Sequence, residues 1–161
     1  MLKVSGLSFD YQDKPLLDQV SFQVLPGQLL HLRGKNGAGK TTLLQLLAGL
    51  IEPHQGQIDF QNQPIHSQLS NYQQQLVYIG HKPGFNASLT VRENYQTSLL
   101  GPSQRGDFDD HLARLGLTDL GDTLCAQLSL GQRRRVSLLR LGLSDAKLWL
   151  LDEPMSALDQ G

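Results

Sequence analysis

The sequence predicts an α/β fold with a helical segment in its middle, on three observations. Apolar stretches with strand periodicity and helical periodicity follow each other along the chain. A glycine-rich loop connects a predicted strand to a predicted helix, and an apolar strand near residue 150 ends in two carboxylates. This order is typical of a sheet covered by helices. We expect an α/β core that carries a helical subdomain at about residues 82–144.

In the first half of the chain, the periodicity predicts strands followed by a helix. Leu7, Phe9 and Tyr11 alternate along GLSFDY and share one face of a strand. Leucines recur at helical spacing at Leu43, Leu44, Leu46, Leu47 and Leu50. The other predicted elements are a strand in QVSFQV with a turn at Pro26-Gly27, a strand in QLLHLRG (residues 28–34), and a strand and turn in GQIDFQNQPI.

The second half is predicted to be mostly helical between two strands. QLVYIG has the composition of a buried strand, and KLWLLDEP is a strand that ends in two carboxylates. Between them, residues 89–126 are predicted to be helical with breaks at Gly101-Pro102 and Gly116. A further helix is predicted at about residues 132–143.

Composition excludes several classes of protein. The chain has 161 residues and a net charge of −1, so bulk electrostatics do not direct it to nucleic acid. Its cluster of Arg133, Arg134 and Arg135 is short, and we expect it to be a solvated helix face. One cysteine, Cys125, permits no intramolecular disulfide. The longest apolar stretch, residues 43–51, is too short for direct membrane insertion.

The glycine-rich stretch GKNGAGKTT has the residues and spacing of a phosphate-binding loop. Gly34, Gly39, Lys40 and Thr41 match the pattern G-x-x-x-x-G-K-[ST]. Glycines allow backbone N–H groups to surround phosphate oxygens, the lysine supplies positive charge, and the threonine hydroxyl can bind Mg²⁺. The predicted binding residues are Gly34, Lys35, Asn36, Gly37, Ala38, Gly39, Lys40, Thr41 and Thr42.

Asp152 and Glu153 end the apolar strand LWLL, where buried charges need partners. An Asp-Glu pair at a turn is common on protein surfaces and alone indicates little. Together with a phosphate loop, the pair predicts that Asp152 holds Mg²⁺, through water, and that Glu153 orients or deprotonates the attacking water.

Ser129 and Gln132 in LSLGQ have the spacing of a capping box at a helix start. The motif has two interpretations: a well-capped helix and nothing more, or a helix N-terminus whose N–H groups and serine face a phosphate. The local pattern does not choose between them.

These motifs occur in the order and spacing of the ABC-transporter ATPase family, which the chain resembles from end to end. GKNGAGKTT resembles Walker A, LSLGQ the signature, LLDEP Walker B, and SALD (residues 156–159) the D-loop. The resemblance implies a P-loop NTPase fold, with a RecA-like core, an antiparallel β subdomain and a helical ABC subdomain. Residues 1–161 would form one nucleotide-binding domain, with ATP and Mg²⁺ as cofactors.

The resemblance also implies roles for particular residues. Two domains form a homodimer that encloses two ATP molecules, with Ser129, Gly131 and Gln132 contacting the γ-phosphate held by the other copy. Tyr11 matches the aromatic residue that stacks on adenine; a core aromatic on its strand face is the alternative. Leu130 stands where glycine is commonest in the signature, and we expect its side chain to crowd the nucleotide or slow closure.

His81 in YIGHKPGF has three interpretations from the residues alone: a metal ligand, a proton carrier, or a polar residue at a strand end. In most of the family this position is glutamine, which meets Mg²⁺ and the attacking water, so the resemblance places His81 there. The segment GHKPG followed by LTVREN (residues 89–94) is similar to the haem-exporter ATPases of cytochrome c maturation.

That subgroup implies a peripheral subunit on the cytoplasmic face of the bacterial inner membrane. Its partners would be integral membrane subunits like CcmB, CcmC and CcmD, and its hydrolysis would drive haem export. The alternatives are an ABC transporter for another substrate and a non-transport ABC ATPase. Members of the family continue past the D-loop with a strand and a switch histidine, so the chain, which ends at Gly161, is expected to be truncated.

Overall fold

The structure, a computed structural model, describes residues 1–12, 14–81, 84–97 and 107–153. The chain divides into two compact units, residues 1–73 and residues 74–161. The first unit contains the phosphate loop. The second contains His81 and the acidic strand end.

The first unit is built on an antiparallel sheet in the strand order β2-β1-β3-β4. Its strands are β1 (Leu2–Tyr11), β2 (Lys14–Val24), β3 (Gln55–Phe60) and β4 (Gln63–Pro64). In the central strand, Leu2 pairs with Val24 on one side and with Phe60 on the other. The sheet's buried side chains include Leu2, Val4, Leu7 and Ile58. This confirms the expected antiparallel β subdomain.

The helix α1 (Lys40–Leu47) follows the phosphate loop, as predicted, and buries four leucines: Leu43, Leu44, Leu46 and Leu47. It ends where Gly49 adopts a left-handed conformation with φ 66°. Leu50 therefore lies beyond the helix and is exposed, contrary to its predicted place on the helical face. The helix α2 (Leu69–Gln73) brings Tyr72 to α1, where its hydroxyl donates to the Leu47 carbonyl.

The predicted strand in residues 28–34 is wrong. These residues lie outside helices and strands, and Leu29 is 93% exposed. A strand exists only when a neighbour completes its hydrogen-bond ladder, and no strand in the described part of the chain pairs with this segment. The apolar pattern alone therefore overestimated the local order.

The second unit contains a parallel pair, β5 (Leu76–Ile79) and β6 (Leu148–Leu151), in which Ile79 pairs with Leu151. Its helices are α3 (Val91–Gln96), α4 (Phe108–Arg114) and α5 (Leu130–Gly142). A cluster of apolar side chains packs in this unit: Val91, Phe108, Leu112, Leu117, Cys125, Leu128, Val136, Leu139 and Leu143. The unit thus has its own core.

Residues 89–126 are less helical than predicted. Between α4 and α5 the chain forms turns and a short 3₁₀ segment, Cys125–Gln127. The predicted break at Gly116 is confirmed, because Gly116 follows α4 with φ 63°. The predicted break at Gly101-Pro102 and the D-loop at residues 156–159 lie outside the described residues.

The helix α5 begins at Leu130, two residues before its predicted start, because Ser129 is its N-cap. It is 13 residues long and carries three consecutive arginines. Among the described helices, none has the length and the apolar composition that a bilayer crossing demands.

Candidate nucleotide site

The phosphate loop closes around the Lys40 side chain. The Lys40 ammonium donates to the carbonyls of Gly34, at 2.8 Å, and Lys35, at 3.0 Å. Gly37 and Gly39 take φ values of 81° and 85°, which L-residues with side chains rarely adopt. The loop therefore has the curved backbone that the sequence motif predicts, with its cation held at the centre.

Gly39 connects this loop to α1 and is closely packed. A Cβ atom at Gly39 would lie 3.1 Å from side-chain atoms of both Leu16 and Leu17 in β2. As the N-cap of α1, Gly39 supplies no side-chain acceptor to the first turn. The first N–H groups of a helix lack acceptors within the helix, so they can donate to an anion. This geometry suits a phosphate group.

The acidic strand end and His81 lie at the same edge of the parallel pair. The ladder ends with a bond of 2.8 Å from the Asp152 N–H to the Ile79 carbonyl. Gly80 and His81 then leave β5, while Asp152 and Glu153 leave β6. Asp152 is buried, whereas His81 and Glu153 are exposed. The structure therefore brings these three site residues to one edge, although His81 precedes Asp152 by about 70 positions in the sequence.

Tyr78 packs beneath this edge. A Cβ atom at Gly80 would lie 2.8 Å from the Tyr78 hydroxyl and 3.0 Å from two ring carbons, so a larger residue there would require the Tyr78 ring to shift. Burial, and secondarily the Asp152 carboxylate, raises the pKa of Tyr78. Gly80 thus has a packing role immediately before His81 that its sequence pattern does not reveal.

The arginine cluster is not a solvated helix face, contrary to expectation. Arg134 is 7% exposed, and Arg133 and Arg135 are half-buried. Each of the three donates to backbone carbonyls outside its own helix. Three consecutive residues of a helix cover about 200° of its circumference, so they cannot all face solvent on a packed helix.

The predicted capping box at α5 is confirmed. The Ser129 hydroxyl accepts from the Gln132 N–H at 3.2 Å, and the Gln132 side chain accepts from the Ser129 N–H at 2.8 Å. Ser129 is exposed and its hydroxyl proton remains available as a donor. Leu130, the next residue, is 72% exposed, so it projects outward from the signature.

A second capping box stands at the start of α3. Thr90 accepts from the Glu93 N–H at 3.1 Å, and the Glu93 carboxylate accepts from the Thr90 N–H at 2.8 Å. The Thr90 hydroxyl also donates to this carboxylate, at 2.9 Å, and the bonds from the Thr90 N–H and hydroxyl lower the pKa of Glu93. The T-x-x-E spacing of Thr90 and Glu93 in the sequence is a signal by which this cap can be found.

Tyr11 ends β1 and is 61% exposed, so the alternative of a core aromatic is wrong. Strand alternation failed here because β1 shifts register between Leu7 and Phe9. Leu7 is fully buried, while Phe9 is only half-buried. An exposed ring at Tyr11 can stack on a planar ligand.

The second unit also has a cavity of about 280 Å³ between residues 84–97 and α5. Its lining is mostly apolar and includes Phe85, Tyr95, Val136 and Leu139. Arg140 lines it too, and burial lowers the pKa of this guanidinium. No carboxylate among the described residues forms a salt bridge with Arg140.

The predicted site residues therefore form two sets. Tyr11 and the phosphate loop belong to the first unit; His81, the acidic strand end and the signature belong to the second. It stays a prediction that the two sets together form one nucleotide site. Arg134 and Tyr78 were missed, because neither belongs to a local motif.

Comparison with known proteins agrees with these motifs. Residues 17–156 match the ABC transporter family. The chain is 52% identical, over 99% of its length and 80% of the relative's, to the cytochrome c biogenesis ATP-binding export protein CcmA of Legionella pneumophila (strain Lens). It is 41% identical, over 99% of its length and 74% of the relative's, to CcmA of Yersinia pestis bv. Antiqua (strain Nepal516).

Among solved structures, an ATP-binding subunit of an ABC transporter superposes with a TM-score of 0.86 at 27% identity, covering 98% of this chain and 68% of that one. The P-loop NTPase fold and the resemblance to the haem-exporter ATPase subgroup are thereby confirmed. The chain belongs to the ABC transporter family, as one of its ATPase subunits.

Proposed function

We propose that this chain is the ATP-hydrolysing subunit of a haem exporter that serves cytochrome c maturation. The observation that carries the proposal is the 52% identity, over 99% of the chain, to a protein named for cytochrome c biogenesis export. His81 adds support, because it stands at the edge of the β5–β6 pair where most ABC ATPases have glutamine.

ATP would bind through its phosphates to the loop at residues 34–42. The carbonyl-held ammonium of Lys40 supplies charge at the loop's centre, and the first turn of α1 supplies N–H donors. The exposed Tyr11 ring provides a surface for the adenine. The loop therefore accounts for affinity, and Tyr11 adds a base contact.

We propose Mg²⁺ as the metal that accompanies the nucleotide. Thr41 and Asp152 offer oxygen ligands of the kind that Mg²⁺ prefers, and His81 lies at the same edge as Asp152. When bound, Mg²⁺ supplies positive charge to the β- and γ-phosphate oxygens.

Hydrolysis would use the exposed carboxylate of Glu153. It accepts a proton from a water molecule while that water's oxygen bonds to the γ-phosphorus. The bond from the γ-phosphorus to the β–γ bridging oxygen breaks, and ADP and phosphate leave. His81, which is also exposed, would orient this water by a hydrogen bond.

ATPases of this family act as dimers and associate with membrane subunits. In the proposed homodimer, Ser129, Gly131 and Gln132 of each copy contact the γ-phosphate held by the other. The capping box supports this role, because it fixes Ser129 at the N-terminus of α5 while leaving its hydroxyl proton available.

The membrane partners would be subunits like CcmB, CcmC and CcmD, at the cytoplasmic face of the bacterial inner membrane. We propose that a helix of such a subunit docks at the cavity lined by Phe85, Tyr95 and Arg140. Its apolar lining suits an amphipathic helix, and Arg140 suits a carboxylate on that helix.

A gene deletion tests the function. In the bacterium that encodes this chain, the deletion should abolish covalently bound haem in c-type cytochromes, measured by haem staining of separated membrane proteins. The wild-type gene should restore the signal and the Glu153→Gln gene should not. Normal c-type cytochromes in the deletion strain would instead favour an ABC transporter for another substrate.

A further inference from the structure

The side chain of Arg134 joins the ends of both parallel strands. One of its terminal nitrogens donates to the Gly80 carbonyl at 2.9 Å. The other donates to the carbonyls of Asp152, at 2.8 Å, and Glu153, at 2.6 Å. Arg134 is 7% exposed; its bond to Asp152 is buried and the other two are partly buried.

A buried guanidinium is costly unless its donors are paired, and here it takes three backbone carbonyls from two segments distant in sequence. The carbonyls lie where the β5–β6 ladder has ended, since its last bond runs from Asp152 to Ile79. Past that bond, strand pairing no longer fixes the backbone, and Arg134 supplies the connection between the two chain segments.

The position of these carbonyls is what gives Arg134 a mechanistic role. The Gly80 carbonyl belongs to the peptide that joins Gly80 to His81, and the Asp152 carbonyl belongs to the peptide that joins Asp152 to Glu153. Holding these two peptides restricts the directions in which the His81 and Glu153 side chains leave the backbone. Glu153 has φ 47°, a conformation that side-chain-bearing residues seldom adopt without support.

We propose that Arg134 is a positioning residue for ATP hydrolysis, which acts by fixing the backbone that carries His81 and Glu153. It lies on α5, five residues after Ser129. The same helix therefore carries the signature at its N-terminus and contacts the ends of β5 and β6 through Arg134. The inference rests on the proposed roles of His81 and Glu153. A misplacement of about 1 Å at such groups costs up to about 100-fold in rate.

Steady-state ATP hydrolysis by the full-length protein in its membrane complex tests this role. Arg134→Met should lower kcat at least about 10-fold and leave the KM for ATP within about threefold, because the phosphate loop is intact. Arg135→Met is the matched control: Arg135 also donates to two carbonyls, those of Leu115 and Gly116, but away from the strand ends. It should keep kcat within about twofold of wild type.

Arg134→Lys separates positioning from folding. Lysine keeps the charge and one or two of the bonds, so part of the lost kcat should return, and this variant carries the test if Arg134→Met does not fold. Combined with Glu153→Gln, Arg134→Lys should lower the rate by a smaller factor than it does alone, since the part of its effect that acts through Glu153 is already lost.

Three results would overturn the inference: equal kcat values for Arg134→Met and Arg135→Met, wild-type kcat for Arg134→Lys when Arg134→Met does not fold, or an effect confined to KM. If instead Glu153→Gln itself hydrolysed ATP at the wild-type rate, the failure would lie in the proposed role of Glu153.

Discussion

The phosphate loop and the site at the ends of β5 and β6 (His81, Asp152 and Glu153), here called the strand-end site, are both formed by short motifs. They reach their geometry differently. The hydrogen bonds that shape the loop are local: Lys40 donates to carbonyls five and six residues before it. The contacts that shape the strand-end site are distant: Arg134 lies 54 residues from Gly80 and 18 from Asp152. The loop is thus encoded where it stands, whereas the strand-end site depends on how the second unit packs.

The difference separates two kinds of failure. Damage to the loop should weaken nucleotide binding, because the residues that hold phosphate are all in one segment. Damage to the strand ends should slow hydrolysis while binding persists, because in the proposed reaction His81 and Glu153 act on the attacking water and the loop holds the phosphates. Four predictions test this division, each measured in the full-length protein.

The largest effect is expected for Glu153→Gln. Removing the base should lower the hydrolysis rate about 100-fold or more, while ATP binding stays close to wild type because the loop is unchanged. Phosphate release and equilibrium binding of a fluorescent ATP analogue measure the two quantities. Glu52→Gln, another exposed carboxylate, is the control and should leave both unchanged. Hydrolysis at the wild-type rate by Glu153→Gln would show that the base lies elsewhere.

Lys40→Ala should weaken ATP binding, which Glu153→Gln leaves unchanged. Loss of the ammonium removes both the loop's internal bonds and the charge that faces phosphate, so ATP should bind at least about 10-fold more weakly. Equilibrium binding of the fluorescent ATP analogue measures this loss of affinity. The control is Lys3→Ala, which replaces an exposed lysine of β1. If Lys40→Ala bound ATP as tightly as Lys3→Ala does, the assignment of the phosphate loop would be wrong.

His81 should show an intermediate effect that depends on the replacement. His81→Gln keeps a hydrogen-bonding group and should retain ATP binding and most of the hydrolysis rate. His81→Ala should slow hydrolysis about 10-fold or more in the membrane complex without weakening binding. Transport-coupled hydrolysis measured for both variants decides this. Wild-type turnover by His81→Ala would return His81 to the interpretation of a plain polar residue at a strand end.

The smallest effects are expected from the two capping boxes, which form a matched pair. Ser129→Ala and Thr90→Ala each remove one cap and should cost about 1 kcal/mol in the free energy of unfolding, measured by urea denaturation. Only Ser129→Ala should also lower hydrolysis, because Thr90 has no proposed contact with nucleotide. Equal hydrolysis rates for the two variants would reduce Ser129 to a structural cap.

Much of the candidate site was predictable from short patterns. The glycine spacing predicted the loop, the S-x-x-Q spacing predicted the cap of α5, and the apolar run before Asp152 predicted β6. The hydrogen bonds that form the loop and the cap lie within a few residues, whereas β6 follows from its apolar run but also needs β5 as its partner strand. The strand expected in residues 28–34 failed because its order requires a partner strand that no local pattern supplies.

The sequence by itself determined the chemistry of this protein: a loop for phosphate, carboxylates at a strand end, a capped signature helix and a histidine in place of glutamine. The tertiary structure decided how the second unit assembles its part of that chemistry. It buried Arg134 against the ends of β5 and β6, packed Tyr78 beneath Gly80, and left Tyr11 exposed. The physical reason is that backbone carbonyls and packing space have no signature in the sequence, so contacts made to them appear only when the chain is folded.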